Sequence, residues 1–380
     1  MTSHSLNARF DRIDAALSTW PRWVFVTATV AAVLVVSVLF FSPKFQLWDF
    51  QIEGSYETTR ARAFLEQCEN PFAPVADLAL RPRLLPALVG HVLHLGRASL
   101  ALPWLGVVFL LASSAIVFLR YGLSRIQAAF ATALVATTSA VIVPIGWLGI
   151  NDAWVSGALL WTAFGRSRAA LIVCCLLVPW VDERFIIGFP LAFCLRLLLA
   201  APNSGPSLSI IVLLRDTALH ALWFIPYAVG RLSLNHEAVA EGSRNLLAWQ
   251  LSAFLSWIAF TPLGWWMAFR AAWLPILFAL LTLRRNAHGI TPALALVSLL
   301  TMVVLAADVS RSAAIILPLL VAGIWMAARK FPRHATAGLC LVLLANLVLP
   351  AAHVVATKID VISPLPMELY RLLRTPTWRP

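Results

Sequence analysis

Charged residues are scarce in this sequence, and their scarcity excludes an ordinary soluble domain. Only 12% of the 380 residues are charged, whereas soluble proteins carry about 25%. Hydrophobic residues make up 61% of the chain, and they fall in blocks of roughly 15 to 25 residues, a length that crosses a bilayer core. The composition therefore predicts a polytopic helical membrane protein.

Lysine is almost absent, so the net charge of +12 comes from arginine. The arginines form short clusters between apolar blocks, a distribution typical of membrane topology and not of nucleic-acid binding. Arg9, Arg12 and Arg22 precede the first block and place the N-terminus in the cytoplasm. The strong preference for arginine over lysine, with abundant alanine and leucine, indicates a GC-rich bacterial genome. We therefore predict a location in the inner, or plasma, membrane of a bacterial cell.

Cysteine is sparse, and the familiar catalytic motifs are missing. The five cysteines include no CxxC and no Cys/His metal spacing, so we predict neither a disulfide nor a zinc site. His91 and His94 have helical spacing but no third ligand beside them, and we assign no metal-binding residue. GxGxxG, P-loop, HExxH and GxSxG sequences are absent, which leaves a nucleotide-driven enzyme or a serine hydrolase without support.

The apolar blocks predict a single all-α membrane domain over residues 1–380 with about 11 transmembrane helices, within a range of 10–12. In chain order we predict a cytoplasmic segment (1–22), a first span (23–41), an outer loop (43–97), the remaining spans (100–352) and an outer C-terminal tail (353–380). The outer loop is expected to hold a helix near 48–68 and an interfacial helix over 84–95. The predicted spans are 23–41, 100–119, 126–147, 153–164, 169–181, 185–200, 207–230, 263–283, 291–306, 312–328 and 335–352.

This topology gathers carboxylates on one side of the membrane. Loops assigned to the inside hold arginine with almost no acid, whereas the outer loops hold most of the acids found between spans: Asp49, Asp152, Asp182, Glu183, Glu237, Glu241 and Asp308. The outer face is therefore where we expect any chemistry to occur.

Asp49 is the candidate general base. It follows Trp48 at the mouth of the first span, where partial desolvation would raise the pKa of its carboxyl group. Glu53 lies four residues further on and is the substitute for that role. The alternative is that Asp49 is an exposed loop acid that only ends the span.

Arginines on the outer side are candidates for binding an anionic ligand. Arg81 and Arg83 enter the segment 84–95, and guanidinium groups bind phosphate through two parallel hydrogen bonds. Lipid headgroups or nearby acids are the alternative partners for this pair.

Three further charged motifs interrupt apolar runs. Asp182, Glu183 and Arg184 form either a hydrated turn or one wall of a polar cavity with Arg184 on an anion. Asp308 and Arg311, at i,i+3 spacing, form an ion pair or part of the same binding surface. Arg215 and Asp216 lie within a predicted span, which favours a pair buried between helices.

The arrangement resembles the GT-C superfamily of integral-membrane glycosyltransferases, which use polyprenyl-phosphate sugars. The residues that carry the likeness are Trp48-Asp49, Glu53, the outer-loop helix that follows, and Arg81-Pro-Arg-Leu-Leu-Pro86. The hairpins at 182–184 and 308–311 resemble those of bacterial mannosyl- and arabinosyl-type members. The acidic pair of the first loop is separated here into Asp49 and Glu53, and the tyrosine-rich stretch is reduced, since the chain has four tyrosines.

The resemblance implies a reaction on the outer, periplasmic face of the cell envelope. A polyprenyl-phosphate-linked sugar enters from the membrane, and a glycan, lipid or protein acceptor arrives from water. Asp49 takes the acceptor proton in one inverting displacement, while arginine, alone or with a divalent cation, stabilises the leaving phosphate. A transporter or lipid flippase without catalysis is the alternative, and a structural subunit is a third; no protein partner follows from the sequence.

Overall fold

The computed structural model describes residues 3–45, 56–73, 83–200, 210–234, 255–286 and 289–374, and this part of the chain is mostly helical. In its first half the helices are α1 (Ser3–Ser18), α2 (Arg22–Phe40), α3 (Tyr56–Glu69), α4 (Leu84–Val92), α5 (Leu102–Arg120), α6 (Arg125–Ala136), α7 (Ser139–Gly146), α8 (Asp152–Phe164), α9 (Arg168–Leu177) and α10 (Arg184–Ala200). An apolar segment within a bilayer forms helix because only intrasegment hydrogen bonds satisfy its backbone.

The second half adds further helices and one small sheet. These are α11 (Ile210–Ala221), α12 (Ile225–Leu234), α13 (Thr261–Phe269), α14 (Trp273–Asn286), α15 (Ile290–Leu305), α16 (Val309–Ser312), α17 (Leu317–Lys330), α18 (Ala335–Val348), strands β1 (Ala351–Val355) and β2 (Lys358–Ile362), and α19 (Leu365–Arg374). β1 and β2 pair in antiparallel register, with His353 opposite Asp360.

Four helical segments of the described chain are long and apolar enough to cross a membrane. They are Arg22–Phe40, Gly96–Arg120, Leu255–Leu283 and Val309–Lys330. α6 and α7 would make a fifth span if they cross together, although they are bent by 56°. The predicted number of about eleven is not confirmed, because several of the predicted spans form helices too short to cross alone.

Two predicted spans are interrupted by breaks that the apolar pattern does not show. Thr137 and Thr138 separate α6 from α7, and their hydroxyl groups donate back to the carbonyls of Leu134 and Val135, each at 2.7 Å. The backbone N–H groups of Thr137 and Thr138 donate to the same two carbonyls in tight turns, so α6 ends here. Between α13 and α14, Arg270 adopts a φ of 48°, a left-handed value that breaks the helix.

The C-terminal region adds a small β-hairpin to the mostly helical fold. The last predicted span ends early, because Pro350 follows α18 and cannot continue a helix. The chain then forms the β1–β2 hairpin, with Ala356 in the turn at a φ of 51°. β1 packs against α13 and α16, so the first residues after 352 belong to the folded bundle.

The two ends of the described bundle hold different charged groups. Arg22, at the start of α2, donates to the carbonyl of Ile116 near the end of α5 at 3.3 Å, so these helices run antiparallel. Arg125 donates to the carbonyl of Trp20 at 2.6 Å at the same end. The opposite end holds the C-terminal end of α2, the start of α16 and the hairpin, and the carboxylates described next lie there.

Candidate functional site

Arg184 joins two aspartates at the start of α10. Its guanidinium donates to both oxygens of Asp182, from Nε at 2.8 Å and from Nη2 at 2.6 Å, and its backbone N–H donates to the same side chain at 3.0 Å. Nη2 also donates to Asp152 Oδ1 at 2.5 Å. Asp152 is the first residue of α8, where the helix dipole favours a carboxylate.

Arg83 extends this arrangement on one side. It directly precedes α4, and its Nη1 lies 3.2 Å from Asp182 Oδ2. Its Nη2 donates to Glu183 Oε1 at 3.1 Å. Arg83 and Glu183 are 100 residues apart in the chain, so the packing of the start of α4 near the start of α10 brings them together.

Arg311 extends the arrangement on the other side. Its Nε lies 3.0 Å from Asp152 Oδ2 and 2.6 Å from Asp308 Oδ2. Together these seven charged side chains form what we call the ionic network: Arg83, Asp152, Asp182, Glu183, Arg184, Asp308 and Arg311. It contains four carboxylates and three guanidinium groups, and therefore carries one negative charge in excess.

His353 closes the network from the hairpin. Its Nε2 lies 3.5 Å from Asp308 Oδ1, and its Nδ1 lies 3.0 Å from Ser310 Oγ. Ser310 Oγ accepts a hydrogen bond from the backbone N–H of Val354 at 3.0 Å, so its own proton is free to point at Nδ1. Trp147 packs edge-on against the imidazole at 4.7 Å between ring centroids.

Burial and opposite charge together set the protonation of this site. Burial alone would raise the pKa of Asp182, but the guanidinium groups of Arg184 and Arg83 outweigh it and hold that pKa well below its ordinary value. Burial would likewise raise the pKa of Asp308, which Arg311 and His353 lower. Burial lowers the pKa of His353, against the opposing effect of Asp308, so this imidazole is neutral at pH 7.

A narrow cleft lies between the ionic network and α3. Its walls include Arg60, Phe64 and Gln67 of α3, and its floor includes Asn151, Asp152 and Asp182. Gly149, also in the lining, adopts a φ of 74°, which turns the chain into α8 without strain. The cleft encloses about 10 Å³, roughly the space of one water molecule.

The structure brings together most of the residues that the sequence singled out. Six of them belong to the ionic network: Arg83, Asp182, Glu183, Arg184, Asp308 and Arg311. The candidate bases Asp49 and Glu53, and Arg81 with them, lie outside the described residues. Their predicted roles stay predictions.

The sequence did not single out three of the site residues: Asp152, His353 and Arg60. Asp152 had a local signal, since an acid directly preceded a predicted helix on the outer side. His353 had none, because it was assigned to the C-terminal tail and reaches Asp308 only through the hairpin. Arg60 lines the cleft from α3 and was one charge among several in a polar segment.

The pair Arg215–Asp216 is not buried between helices as the sequence suggested. The two side chains do form an ion pair at 3.0 Å, but the side chain of Arg215 is 67% exposed. The pair therefore lies on the outside of the described bundle and lines no internal path there.

The described residues do not fit a divalent metal ion. They contain no group of three His, Cys, Asp or Glu side chains placed to ligate one. Each of the three buried aspartates, Asp152, Asp182 and Asp308, pairs with a guanidinium group. The negative charge that would bind a divalent cation is therefore already neutralised by arginine. His91, considered above as a ligand, instead contacts the carbonyl of Cys68 through Nδ1 at 3.0 Å. We therefore derive no chemical step through a metal ion.

Comparison with known proteins adds no family to this geometry: no family model, no curated protein and no solved structure matches the chain.

Proposed function

We propose that the chain is a glycosyltransferase of the bacterial inner membrane with a GT-C-like fold, which crosses the bilayer about eleven times with its N-terminus in the cytoplasm. It moves a sugar from a polyprenyl-phosphate donor to an acceptor on the outer face. The observation that supports this proposal is the ionic network, whose members come from positions 83 to 311 and meet at one end of the bundle beside a cleft. Buried ionic groups with perturbed pKa values beside a cleft are candidates for a functional site.

The burial of the network argues for a function. The side chains of Asp182 and Arg184 are 2% and 6% exposed, and removing such charges from water costs several kcal/mol each, on the order of what their pairing returns. Apolar side chains of similar volume would stabilise the bundle at least as well. A preorganised set of charges next to a cleft is instead what a reaction with charge development requires.

The displacement itself requires a base and a stabilised leaving group. In the proposed reaction Asp49 accepts the proton of the acceptor hydroxyl, with Glu53 as the substitute base. The hydroxyl oxygen bonds to the anomeric carbon while the bond from that carbon to the phosphate oxygen breaks, and the configuration inverts. The polyprenyl phosphate leaves with the bonding electrons, as an anion.

Arg83 is the network residue best placed to meet that phosphate. It lines the cleft, and one of its partners, Glu183, has a side chain that is 31% exposed. A phosphate would replace Glu183 on Arg83 at small cost, because an acid in contact with water gains little from its pair. Arg60 faces the same cleft and adds positive charge there.

Arg184 and Arg311 are better assigned to positioning. Arg184 is bound to Asp152 and Asp182, and Arg311 lies between Asp152 and Asp308, so both hold the network and neither lines the cleft. Asn151 does line it, and its Oδ1 is buried without a hydrogen-bond partner in the described chain. That amide oxygen is an acceptor available to a sugar hydroxyl.

Donor entry requires the cleft to open. A volume near that of one water molecule excludes a sugar, so binding must move α3 away from the turn at Asn151 and Asp152. The alternative of a transporter or flippase would use the same end of the bundle to bind without reaction. A buried Arg215–Asp216 pair would have supported transport along an internal path, but this pair lies on the exposed surface.

Lipid extracts of cells that lack the protein test the proposal. We expect a polyprenyl-phosphate sugar to accumulate and one glycan to disappear, and the wild-type gene to reverse both changes. Asp49→Asn should fail to restore the glycan at normal protein level, whereas Glu69→Gln, at the exposed end of α3, should restore it. A knockout with an unchanged lipid pool would overturn the proposed function, and full activity of Asp49→Asn would remove Asp49 as the base.

A further inference from the structure

The last helix, α19, exposes a broad apolar surface. Met367, Tyr370 and Leu373 follow one another at three-residue spacing and share one side of the helix. Their exposed fractions are 54%, 55% and 87%. Glu368 lies on the opposite side and is buried against the rest of the protein. The helix thus turns a charged residue inward and its large apolar side chains outward, the reverse of what water favours.

Hydrogen bonds attach α19 to the end of a candidate membrane span. The backbone carbonyl of Ser363, just before the helix, accepts from the backbone N–H of Ser42, just after α2, at 3.0 Å. Arg371 Nη1 donates to Ser363 Oγ at 2.9 Å and to Glu368 Oε1 at 2.7 Å, which ties the helix to the residue that contacts Ser42 and compensates the buried charge of Glu368. α19 also packs directly on α2.

α19 packs on α2, which exposes apolar side chains of its own. Val35, Leu39 and Phe40 of α2 are exposed, as expected for a span that faces lipid. Because α19 is attached where α2 ends, its own exposed face lies at the depth of the headgroups. Arg374 stands over the ring of Tyr370 at 4.6 Å, which places a cation at the margin of that face.

We propose that α19 is a membrane-surface helix that lies in the headgroup region with Met367, Tyr370 and Leu373 in contact with lipid. Membrane lipid is the occupant that fits, because the face is apolar in its middle, carries arginine at its margin and belongs to a helix that packs on a candidate membrane span. This inference does not depend on the proposed reaction.

The position of α19 also bears on the ionic network. The β1–β2 hairpin joins α18 to α19 and carries His353, which contacts Asp308. Lys44, just beyond α2, pairs with Asp360 of β2 at 3.7 Å. Contact of α19 with the membrane would therefore hold the hairpin over the network from its outer side.

Collision measurements on spin-labelled protein in vesicles test this inference. Single cysteines would replace Met367, Tyr370 and Leu373, with Lys358→Cys on β2 as the water-exposed control. The full-length protein would be reconstituted in phosphatidylethanolamine and phosphatidylglycerol. We expect the three α19 labels to collide readily with oxygen and poorly with a water-soluble nickel chelate, and the label at 358 to show the opposite preference. The native cysteines are buried or half-buried, and unmodified protein measures their background labelling.

Two outcomes would overturn the inference. Equal nickel accessibility at positions 373 and 358 would show that α19 faces water. Dipolar broadening between labels at 373, lost only when labelled protein is diluted with unlabelled protein, would show that a second copy of the chain covers the face instead of lipid.

Discussion

Arg184 Nη2 and Asp152 Oδ1 lie 2.5 Å apart, and this contact joins the starts of α10 and α8. Asp152 also lies between Arg184 and Arg311, so one carboxylate connects the two halves of the ionic network. The stability of this end of the bundle should therefore depend on Asp152 more than on any surface acid.

Asp152→Asn should destabilise the protein strongly. The substitution leaves two buried guanidinium groups without the charge they share, and breaking a buried pair costs about 3–5 kcal/mol. Asp216→Asn is the matched control, because Asp216 pairs with the exposed Arg215 and exposed pairs contribute about 0–1 kcal/mol. Thermal unfolding in detergent measures both. Equal midpoints for the two variants would contradict a structural role of the network.

Asp182 should make stability depend on pH only in acid. Its folded pKa lies well below its ordinary value, so its contribution is complete above the unfolded pKa of about 3.9 and is lost as the pH falls below that value. The difference in thermal midpoint between wild type and Asp182→Asn should be constant from pH 5 to 8 and should shrink below pH 4. A difference that already shrinks between pH 7 and 5 would show that Asp182 is not held as a carboxylate.

His353 should give a second pH effect of the same sign, nearer neutrality. Its folded pKa lies below 6.5, so just below pH 6.5 the unfolded chain binds more protons here than the folded protein, and stability falls as the pH falls. Burial lowers this pKa most. Among the charged groups near the ring, Arg311 also lowers it, whereas Asp308, Asp360 and Asp152 raise it without outweighing burial. Replacement by glutamine in His353→Gln should flatten the profile of thermal midpoint against pH between 6.5 and 5. An unchanged slope would assign the effect to another residue.

Arg270 should not tolerate lysine. Its side chain is fully buried and donates to the backbone carbonyl of Thr137, at the break between α6 and α7, and at 3.5 Å to that of Leu349, after α18. A lysine cannot reach both carbonyls with one ammonium group, and a lost hydrogen bond to a charged group costs about 1.5–3 kcal/mol. Arg231→Lys, at an exposed site on α12, is the control. Unfolding in detergent should separate the two variants clearly.

Gly323 should not tolerate alanine, whereas Gly338 should. A Cβ atom at Gly323 would lie 1.9 Å from the carbonyl oxygen of Pro275, where α17 crosses α14, while one at Gly338 on α18 meets open space. The first substitution should cost about 1–3 kcal/mol by overpacking, and the second should be neutral or stabilising by up to about 1 kcal/mol. Comparable thermal midpoints would mean that α14 and α17 do not approach so closely.

Much of the helical framework could be predicted from the apolar blocks. Each predicted span that falls on described residues corresponds to one helix or to two helices in succession, as with 126–147 and α6–α7. The breaks could not be predicted, because Thr137, Thr138 and Arg270 end helices through hydrogen bonds to particular carbonyls. The hairpin was missed for a related reason, since β1 is stabilised by β2 and by Ser310 and not by its own sequence.

The candidate site shows the same division. That acids and arginines collect at one end of the bundle followed from the sequence alone, because charges avoid the bilayer core and must lie at the ends of apolar segments. Only the tertiary structure decided the individual contacts: Arg83 with Glu183, Asp152 with both Arg184 and Arg311, and His353 with Asp308. These partners are separated by 32 to 159 residues, and no local pattern of hydrophobicity or spacing specifies which helix ends become neighbours.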